Sequence, residues 1–157
     1  MSLILLAFHS NLQASKTQPL IPLIADFSQL GIQSKNNERV ILLYVSAPQC
    51  PYCLKLEQEI LHPLIRSGEY QERLILAKIN WASSTDIIGF QGESLSNQQF
   101  LKPFNIKVTP TLLFLNEKGQ QIHEPFVGYQ DNEFYWYYFD VAIDKSNHIM
   151  HDQSRKP

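Results

Sequence analysis

The sequence predicts an α/β fold in which helices flank a central sheet of mixed strand direction. Strand-like and helix-like segments alternate along most of the chain, as parallel neighbouring strands require. Residues 39–46 are apolar at almost every position, which is typical of a central strand covered on both faces. Residues 116–119 form a predicted turn between the last two strands, so these strands are expected to pair antiparallel.

The individual elements follow from apolar spacing and from breaker residues. Residues 23–35 approximate helical spacing, and the strand at 39–46 follows them. A longer helix then runs to about Ser67, and Pro63 is expected to kink it. The remaining predicted elements are a strand at 74–79, a long Ser- and Gly-rich loop at 81–95, a short helix at 96–103, strands at 112–115 and 120–127, and a last helix that Asp131 caps and that ends near Ile143.

Length and composition predict one globular domain. The chain of 157 residues is long enough to bury a core, and we assign residues 15–143 to that domain. Residues 144–157 are polar and are expected to form a loose tail. The net charge of −2 gives no sign of a nucleic-acid partner or of binding to an anionic membrane surface.

The first residues favour export. Residues 1–14 combine a short apolar run with small residues and resemble the end of a secretory signal peptide, although a basic leading segment is missing. We therefore predict a periplasmic protein, with a cytoplasmic one as the alternative. Since the apolar run is too short to cross a bilayer, no stable membrane insertion is expected.

The two cysteines of the chain predict a redox centre. Cys50 and Cys53 form the motif Cys-Pro-Tyr-Cys, directly after the central strand and at the start of the long helix. Free N–H groups at a helix start favour an anion, so the pKa of Cys50 is expected to be below that of a free thiol. Cys53 is expected to be more buried and to resolve a mixed disulfide. Pro51 suits the first turn, because its missing N–H costs nothing there.

Residues 23–143 resemble the thioredoxin family. Besides the cysteine pair, Thr109 and Pro110 resemble the segment in which that family has a cis proline facing the cysteines, and Lys78 resembles its lysine below the site. The motifs Phe104-Asn105-Ile106 and Val127-Gly128 are similar as well. The resemblance implies a thioredoxin fold with an extra N-terminal helix and an inserted loop.

Three features differ from thioredoxins proper. Tyr44 stands where those proteins have a buried acid, Pro51-Tyr52 separates the cysteines as in glutaredoxins, and residues 81–95 lengthen the second half. The motif, the long helix after it and the inserted segment are most similar to exported thioredoxin-like reductases such as the SoxW type. This implies a thiol–disulfide oxidoreductase that reduces protein disulfides with an upstream electron donor.

The resemblance also implies roles for the site residues. Cys50 would be the nucleophile and Cys53 the resolving thiol, while Thr109 and Pro110 shape the substrate groove beside Pro51 and Tyr52. No cofactor or metal is implied, because the dithiol is itself the redox carrier, and the protein is expected to be a monomer.

The proton acceptor for Cys53 stays open, because position 44 is not an acid. The candidates are Lys78, a water molecule and Glu57, one helical turn beyond Cys53. We expect Lys78 to give electrostatic support only and Glu57 to be a solvated helix residue.

Other functions remain as alternatives. One is a disulfide oxidase or isomerase of the Dsb type, and another is a non-catalytic interaction module that uses the aromatic-rich helix at 134–139. A zinc site would need two further ligands, but His148 and His151 are spaced more tightly than in zinc fingers. Phe90 is expected to be a tucked aromatic of a surface loop rather than part of a lid over the cysteines.

Overall fold

The computed structural model describes residues 20–130 and 134–154, and these form a central sheet with helices on both faces. The strands are β1 (Val40–Ser46), β2 (Leu74–Asn80), β3 (Asp86–Ile88), β4 (Ser94–Ser96), β5 (Thr111–Leu115) and β6 (Gln121–Val127). The helices are α1 (Phe27–Asn37), α2 (Pro51–Leu56), α3 (His62–Ser67), α4 (Asn97–Leu101) and α5 (Tyr135–Ser154). A π turn (Glu57–Leu61) joins α2 to α3, and a 3-10 turn (Lys102–Phe104) follows α4. The predicted cap at Asp131 lies outside the described residues.

The central sheet is mixed, which confirms the predicted fold class. Its strand order is β2–β1–β5–β6, with β1 parallel to β2, antiparallel pairing of β1 with β5, and antiparallel pairing of β5 with β6. Every residue of β1 is buried. The register places Tyr44 of β1 beside Lys78 of β2. Side chains alternate between the two faces along each strand, and residues directly opposite each other on neighbouring strands point to the same face. Tyr44 and Lys78 therefore lie on one face of the sheet.

Each face of the sheet has its own hydrophobic core. One core packs alternate residues of β1 and β5 against α2, α3 and α5, and its largest buried members include Tyr44, Leu56, Leu61, Phe114 and Phe139. The other packs the remaining residues of β1 and β5 against α1 and α4, and includes Phe27, Ile41, Leu43, Phe100 and Leu113. The site residues described below lie on the first of these faces.

Helix α1 begins later than the apolar pattern predicts. Its cap is Asp26, whose carboxylate accepts two backbone N–H bonds from the first turn. The residues before it run along β2: the Lys78 N–H donates to the Pro22 carbonyl at 2.7 Å, and the Ile24 N–H donates to the Lys78 carbonyl at 3.0 Å. This pairing needs an extended backbone, so residues 23–26 are not helical, and it also holds the backbone of Lys78 from the outer side of the sheet.

The long helix after the cysteines consists of α2, the π turn and α3 in direct succession. Pro63 has no N–H to donate, and its ring would clash with a carbonyl of the preceding turn in a regular α-helix. In the π turn, the N–H of His62 donates to the Glu57 carbonyl, one residue further back than in an α-helix. The irregularity expected at Pro63 therefore takes the form of a π turn that ends just before it.

The inserted segment contains a small hairpin, so the prediction of a long loop at 81–95 is wrong. Strands β3 and β4 pair antiparallel, and Ile87 is only 4% exposed. Phe90 lies between them, with its ring centroid 5.6 Å from that of Phe27 and 5.9 Å from that of Phe100. This confirms Phe90 as a tucked aromatic. The buried Ile87 and the partly buried Phe90 pack onto the second core and stabilise the hairpin. The Ser and Gly content of residues 81–95 instead favours a loop.

The last helix continues to Ser154, so the prediction of a loose tail from residue 144 is wrong for the described residues. Ser146 and Asn147 are buried, and their side chains donate to the carbonyls of Ala142 at 2.7 Å and Ile143 at 2.9 Å. Met150 is 5% exposed and belongs to the first core. Ser146 and Asn147 therefore satisfy their polar groups within the helix, and Met150 follows them as an apolar anchor.

The aromatic residues at 134–139, around the start of α5, are divided between core and surface. Tyr135 and Phe139 are buried, whereas Phe134, Tyr137 and Tyr138 are more than half exposed. Although α5 is the longest helix of residues 20–130 and 134–154, neither it nor any other helix there is long and apolar enough to cross a membrane.

Candidate active site

The two cysteines lie where β1 gives way to α2. Cys50 is the N-cap of α2, with an extended backbone, and its carbonyl accepts the first helical bond from Leu54 at 3.1 Å. Its Sγ accepts the N–H of Cys53 at 3.1 Å. Cys50 and Cys53 form a disulfide, with their Cα atoms 5.2 Å apart. A helix start leaves N–H groups without a helical partner, and here one of them points at the first sulfur.

The two sulfur-bearing residues differ in accessibility. Cys53 is 4% exposed, whereas Cys50 is only partly buried. Cys53 is therefore the more buried residue, as predicted. An incoming thiol or disulfide can reach Cys50 from solvent, while Cys53 faces the first core.

The Thr109–Pro110 peptide bond is cis, and Thr109 lies next to the disulfide. The carbonyl oxygen and the hydroxyl Oγ1 of Thr109 each lie 3.6 Å from Cys50 Sγ. The Pro110 carbonyl accepts the N–H of Gly128 at 2.8 Å, so the end of β6 holds this turn in place. Thr109 and Pro110 are far from Cys50 in sequence, and the β1–β5 pairing brings them close to it.

Exposed apolar side chains lie close in sequence to these groups. Tyr52 is 62% exposed and Leu54 is 55% exposed at the start of α2. Val108, two residues before Pro110, is 46% exposed, and Val127, paired with Thr111, is 60% exposed. Pro51, at the first position of α2, is exposed as well.

A cleft of about 450 Å³ opens beside the disulfide. It is lined by Ser46, Ala47, Gln49, Cys50, Pro51, Cys53, Leu54, Glu57 and Lys78. Both cysteines therefore line one cleft together with a carboxylate and an ammonium group. Of the residues to which we assigned a site role, the cleft brings together the two cysteines, Pro51 and Lys78. Thr109 contacts Cys50 without lining the cleft.

Glu57 is not the solvated helix residue that the sequence predicts. Its side chain is 18% exposed, and its Oε1 accepts the Lys78 ammonium at 2.7 Å and the Tyr44 hydroxyl at 3.0 Å. Tyr44 is fully buried, with its hydroxyl 3.4 Å from the Cys53 carbonyl. A carboxylate from the helix after the cysteines is thus held against Tyr44, at the strand position where thioredoxins proper have an acid.

The environment of this cluster keeps Tyr44 protonated. Burial, with the nearby Glu57 carboxylate adding to it, raises the pKa of Tyr44 far above its ordinary value. The Lys78 ammonium also lies 5.3 Å from the centroid of the Tyr44 ring. Further along the helix, burial lowers the pKa of His62, and the Glu57 charge opposes that shift. The cluster therefore consists of a phenol that donates, an ammonium and one carboxylate.

Sequence reasoning named Glu57 but assigned it the wrong environment. The signal was its position one turn beyond Cys53, because residues four apart lie on the same face of a helix. The register of β1 and β2, which places Tyr44 and Lys78 side by side under that helix face, could not be predicted from the sequence.

The histidines of the zinc alternative lie on α5. His151 Nδ1 is 3.1 Å from a carboxylate oxygen of Glu38. Within residues 20–130 and 134–154, no group of three or more His, Cys, Asp or Glu side chains is arranged to hold a metal ion.

Solved structures of known proteins share this fold. A DsbH oxidoreductase is similar over 88% of this chain and 95% of its own, with 14% sequence identity and a TM-score of 0.59. The C-terminal domain of DsbD from Neisseria meningitidis, in its oxidised form, matches over 76% and 98%, with 16% identity and a TM-score of 0.52. A poplar thioredoxin h matches over 73% and 86%, with 21% identity and a TM-score of 0.51. At these identities the likenesses show the fold alone.

The sequence itself identifies the family. Residues 27–142 match the family of thioredoxin-like domains, which is well over half of the chain. No curated protein has a sequence that matches this one. With a Cys-x-x-Cys disulfide at the helix start that follows its central strand, the chain belongs to the thioredoxin-like family and is a thiol–disulfide oxidoreductase.

Proposed function

We propose that this protein reduces disulfide bonds in other proteins, in the manner of exported thioredoxin-like reductases such as the SoxW type. The observation that supports this most directly is the Cys50–Cys53 disulfide, with one partly exposed sulfur and one buried sulfur beside the cis Thr109–Pro110 bond. An exchange centre needs this asymmetry, because one sulfur must meet the substrate and the other must displace it.

The proposed reaction begins with the reduced protein. The Cys50 thiolate attacks one sulfur of the substrate disulfide, and the other substrate sulfur leaves as a thiolate that takes a proton from water. Cys53 then loses its proton and attacks Cys50 Sγ. The Cys50–Cys53 bond forms, the bond to the substrate breaks, and the second substrate sulfur leaves with its electron pair. An upstream dithiol donor returns two electrons and two protons to the Cys50–Cys53 pair.

The surroundings of Cys50 support its role as nucleophile. The N–H of Cys53 points at its sulfur at 3.1 Å, and the Thr109 hydroxyl lies 3.6 Å away. Both are donors that favour a thiolate over a thiol. Tyr52, Val108 and Val127 offer apolar surface for an extended substrate segment, which would dock along Thr109 by main-chain hydrogen bonds. We propose Pro51 and Tyr52 as supporting residues of this groove.

Reduction of insulin by dithiothreitol tests the proposal. The native protein should accelerate precipitation of the insulin B chain, and C50S should return the rate to that of dithiothreitol alone. Unchanged catalysis by C50S would refute the assignment of the nucleophile.

Equilibration with a glutathione series tests the direction. A potential near about −270 mV supports a reductant, whereas one near about −120 mV would favour an oxidase of the Dsb type instead.

We also propose that the protein is a periplasmic monomer. The support is the likeness of residues 1–14 to the end of a signal peptide. Expression of the full chain in a bacterium, followed by osmotic release of the periplasm and gel filtration, tests both points. Recovery of the protein only with the cytoplasm would contradict export, and elution at twice the expected mass would contradict the monomer.

A further inference from the structure

We propose that Glu57 takes the proton of Cys53 when Cys53 attacks the mixed disulfide, so that the base of the resolving step lies on the helix rather than on the central strand. This rests on the proposed exchange reaction and adds to it the group that the reaction otherwise lacks. The step is balanced: the Cys53 S–H bond breaks, its proton passes to a Glu57 oxygen, and the Cys53 sulfur bonds to Cys50 as the substrate sulfur leaves.

The first argument is location. Glu57 lies one helical turn beyond Cys53, and both residues line the same cleft of about 450 Å³ beside Cys50. This cleft is large enough for water, which can pass a proton between two groups that do not touch. Glu57 and Cys53 therefore border the same water-accessible cleft, and a water molecule there can carry the proton from one to the other.

The second argument is the orientation of the carboxylate. The Lys78 ammonium and the Tyr44 hydroxyl both donate to Oε1, at 2.7 and 3.0 Å. These two bonds come from adjacent strands and hold the side chain in one position. Since neither of them ends on Oε2, this second oxygen is the one that receives the proton.

The third argument is the absence of another base among the groups that face Glu57. Tyr44 is protonated, because burial raises its pKa, and Lys78 is bound to the carboxylate as a cation. His62 does not line the cleft, and burial lowers its pKa, which makes its imidazole a weaker base. Among the described residues that line the cleft, Glu57 is the one carboxylate.

The two steps can be separated with oxidised glutathione as the probe. Reduced protein is mixed with it, quenched with acid at short times and analysed by mass spectrometry, which distinguishes the reduced, glutathionylated and disulfide forms. In E57Q, attack by Cys50 should keep its rate, whereas resolution by Cys53 should slow about a hundredfold, within the usual contribution of a positioned base. The glutathionylated form should then accumulate.

The pH profile excludes a merely structural effect. In E57Q, resolution should rise about tenfold per pH unit until the Cys53 thiol ionises unaided, while the native protein should show a shallower slope. E57D, which retains an acid, should recover part of the native rate and slope. E59Q is the matched control, because Glu59 lies on the same helix with its side chain 41% exposed and bonds to Tyr129 instead.

Each result decides the matter. If E57Q resolves the mixed disulfide at the rate and pH slope of E59Q, the proposal is wrong. If E57Q is slow but E57D is equally slow with the same slope, the effect is structural and the proposal is again wrong. The native protein could resolve its mixed disulfide with glutathione in a Glu57-dependent way and yet fail to reduce insulin. In that case the reductase proposal is wrong and the proposal for Glu57 is supported.

Discussion

Replacing Lys78 with Met removes the cation that neutralises Glu57. The Nζ–Oε1 distance is 2.7 Å, and the two side chains are 27% and 18% exposed. Breaking a fully buried ion pair costs about 3–5 kcal/mol, whereas an exposed pair contributes about 0–1 kcal/mol. Water partly screens this pair, so we expect K78M to lower the free energy of unfolding by about 2 kcal/mol.

The effect of K78M on catalysis should be small. Lys78 donates to Oε1 and is not itself placed to accept a proton. A change worth one pKa unit alters an equilibrium about tenfold, so we expect the exchange rate to change by less than about tenfold. A loss of about a hundredfold or more would mean that Lys78 takes part directly in proton transfer.

Urea denaturation of a double-mutant cycle measures the stability effect. Native protein, K78M, E57Q and the double variant are compared, with K35M as the control because Lys35 is an exposed residue of α1. The double variant should lose less than the two single variants together, with a coupling of about 1–2 kcal/mol. Losses that add to within about 0.4 kcal/mol would refute the reasoning, because residues that do not interact behave additively.

Three further predictions concern the fold. Removing residues 144–157 should lower the free energy of unfolding by at least about 2 kcal/mol, since Met150 alone is an anchor of the first core. F27A should cost about 3–5 kcal/mol, because Phe27 is fully buried and its ring centroid lies 4.2 Å from that of Phe100. D26N should be less stable than the native protein at neutral pH, and the difference should shrink as the pH falls below 3.8, the ordinary pKa of Asp26.

The sign of the last effect follows from the N-cap of α1. The Ser28 hydroxyl and the Gln29 N–H bond to the Asp26 carboxylate and lower its pKa in the folded protein. A lowered pKa contributes stability above the unfolded value, and this stability is lost as the pH falls through the folded value. Urea midpoints measured across the acid range check all three predictions. A constant gap between D26N and native protein, a truncated chain of native stability, or an F27A loss below about 1 kcal/mol would contradict them.

Most of the fold could be predicted from local pattern. The apolar run at β1, the turn between β5 and β6 and the helix after Cys50 each have their period or breaker residue in adjacent positions, and each lies close to its predicted range. The failures share one cause. Helix α1 starts late because residues 22–24 pair with β2, and the hairpin at β3 and β4 forms because Phe90 packs against α1. These are contacts between distant segments, which periodicity does not show.

By itself, the sequence determined the reaction class. A dithiol motif directly after a buried strand and at the start of a helix has few other uses, and its chemistry depends on backbone groups that any such junction supplies. Only the tertiary structure decided which groups surround the buried sulfur. Strand register places Tyr44 beside Lys78, and the helix packed on this face brings Glu57 into contact with both. Glu57, which the sequence predicts to be solvated, therefore lies in the cleft beside the cysteines.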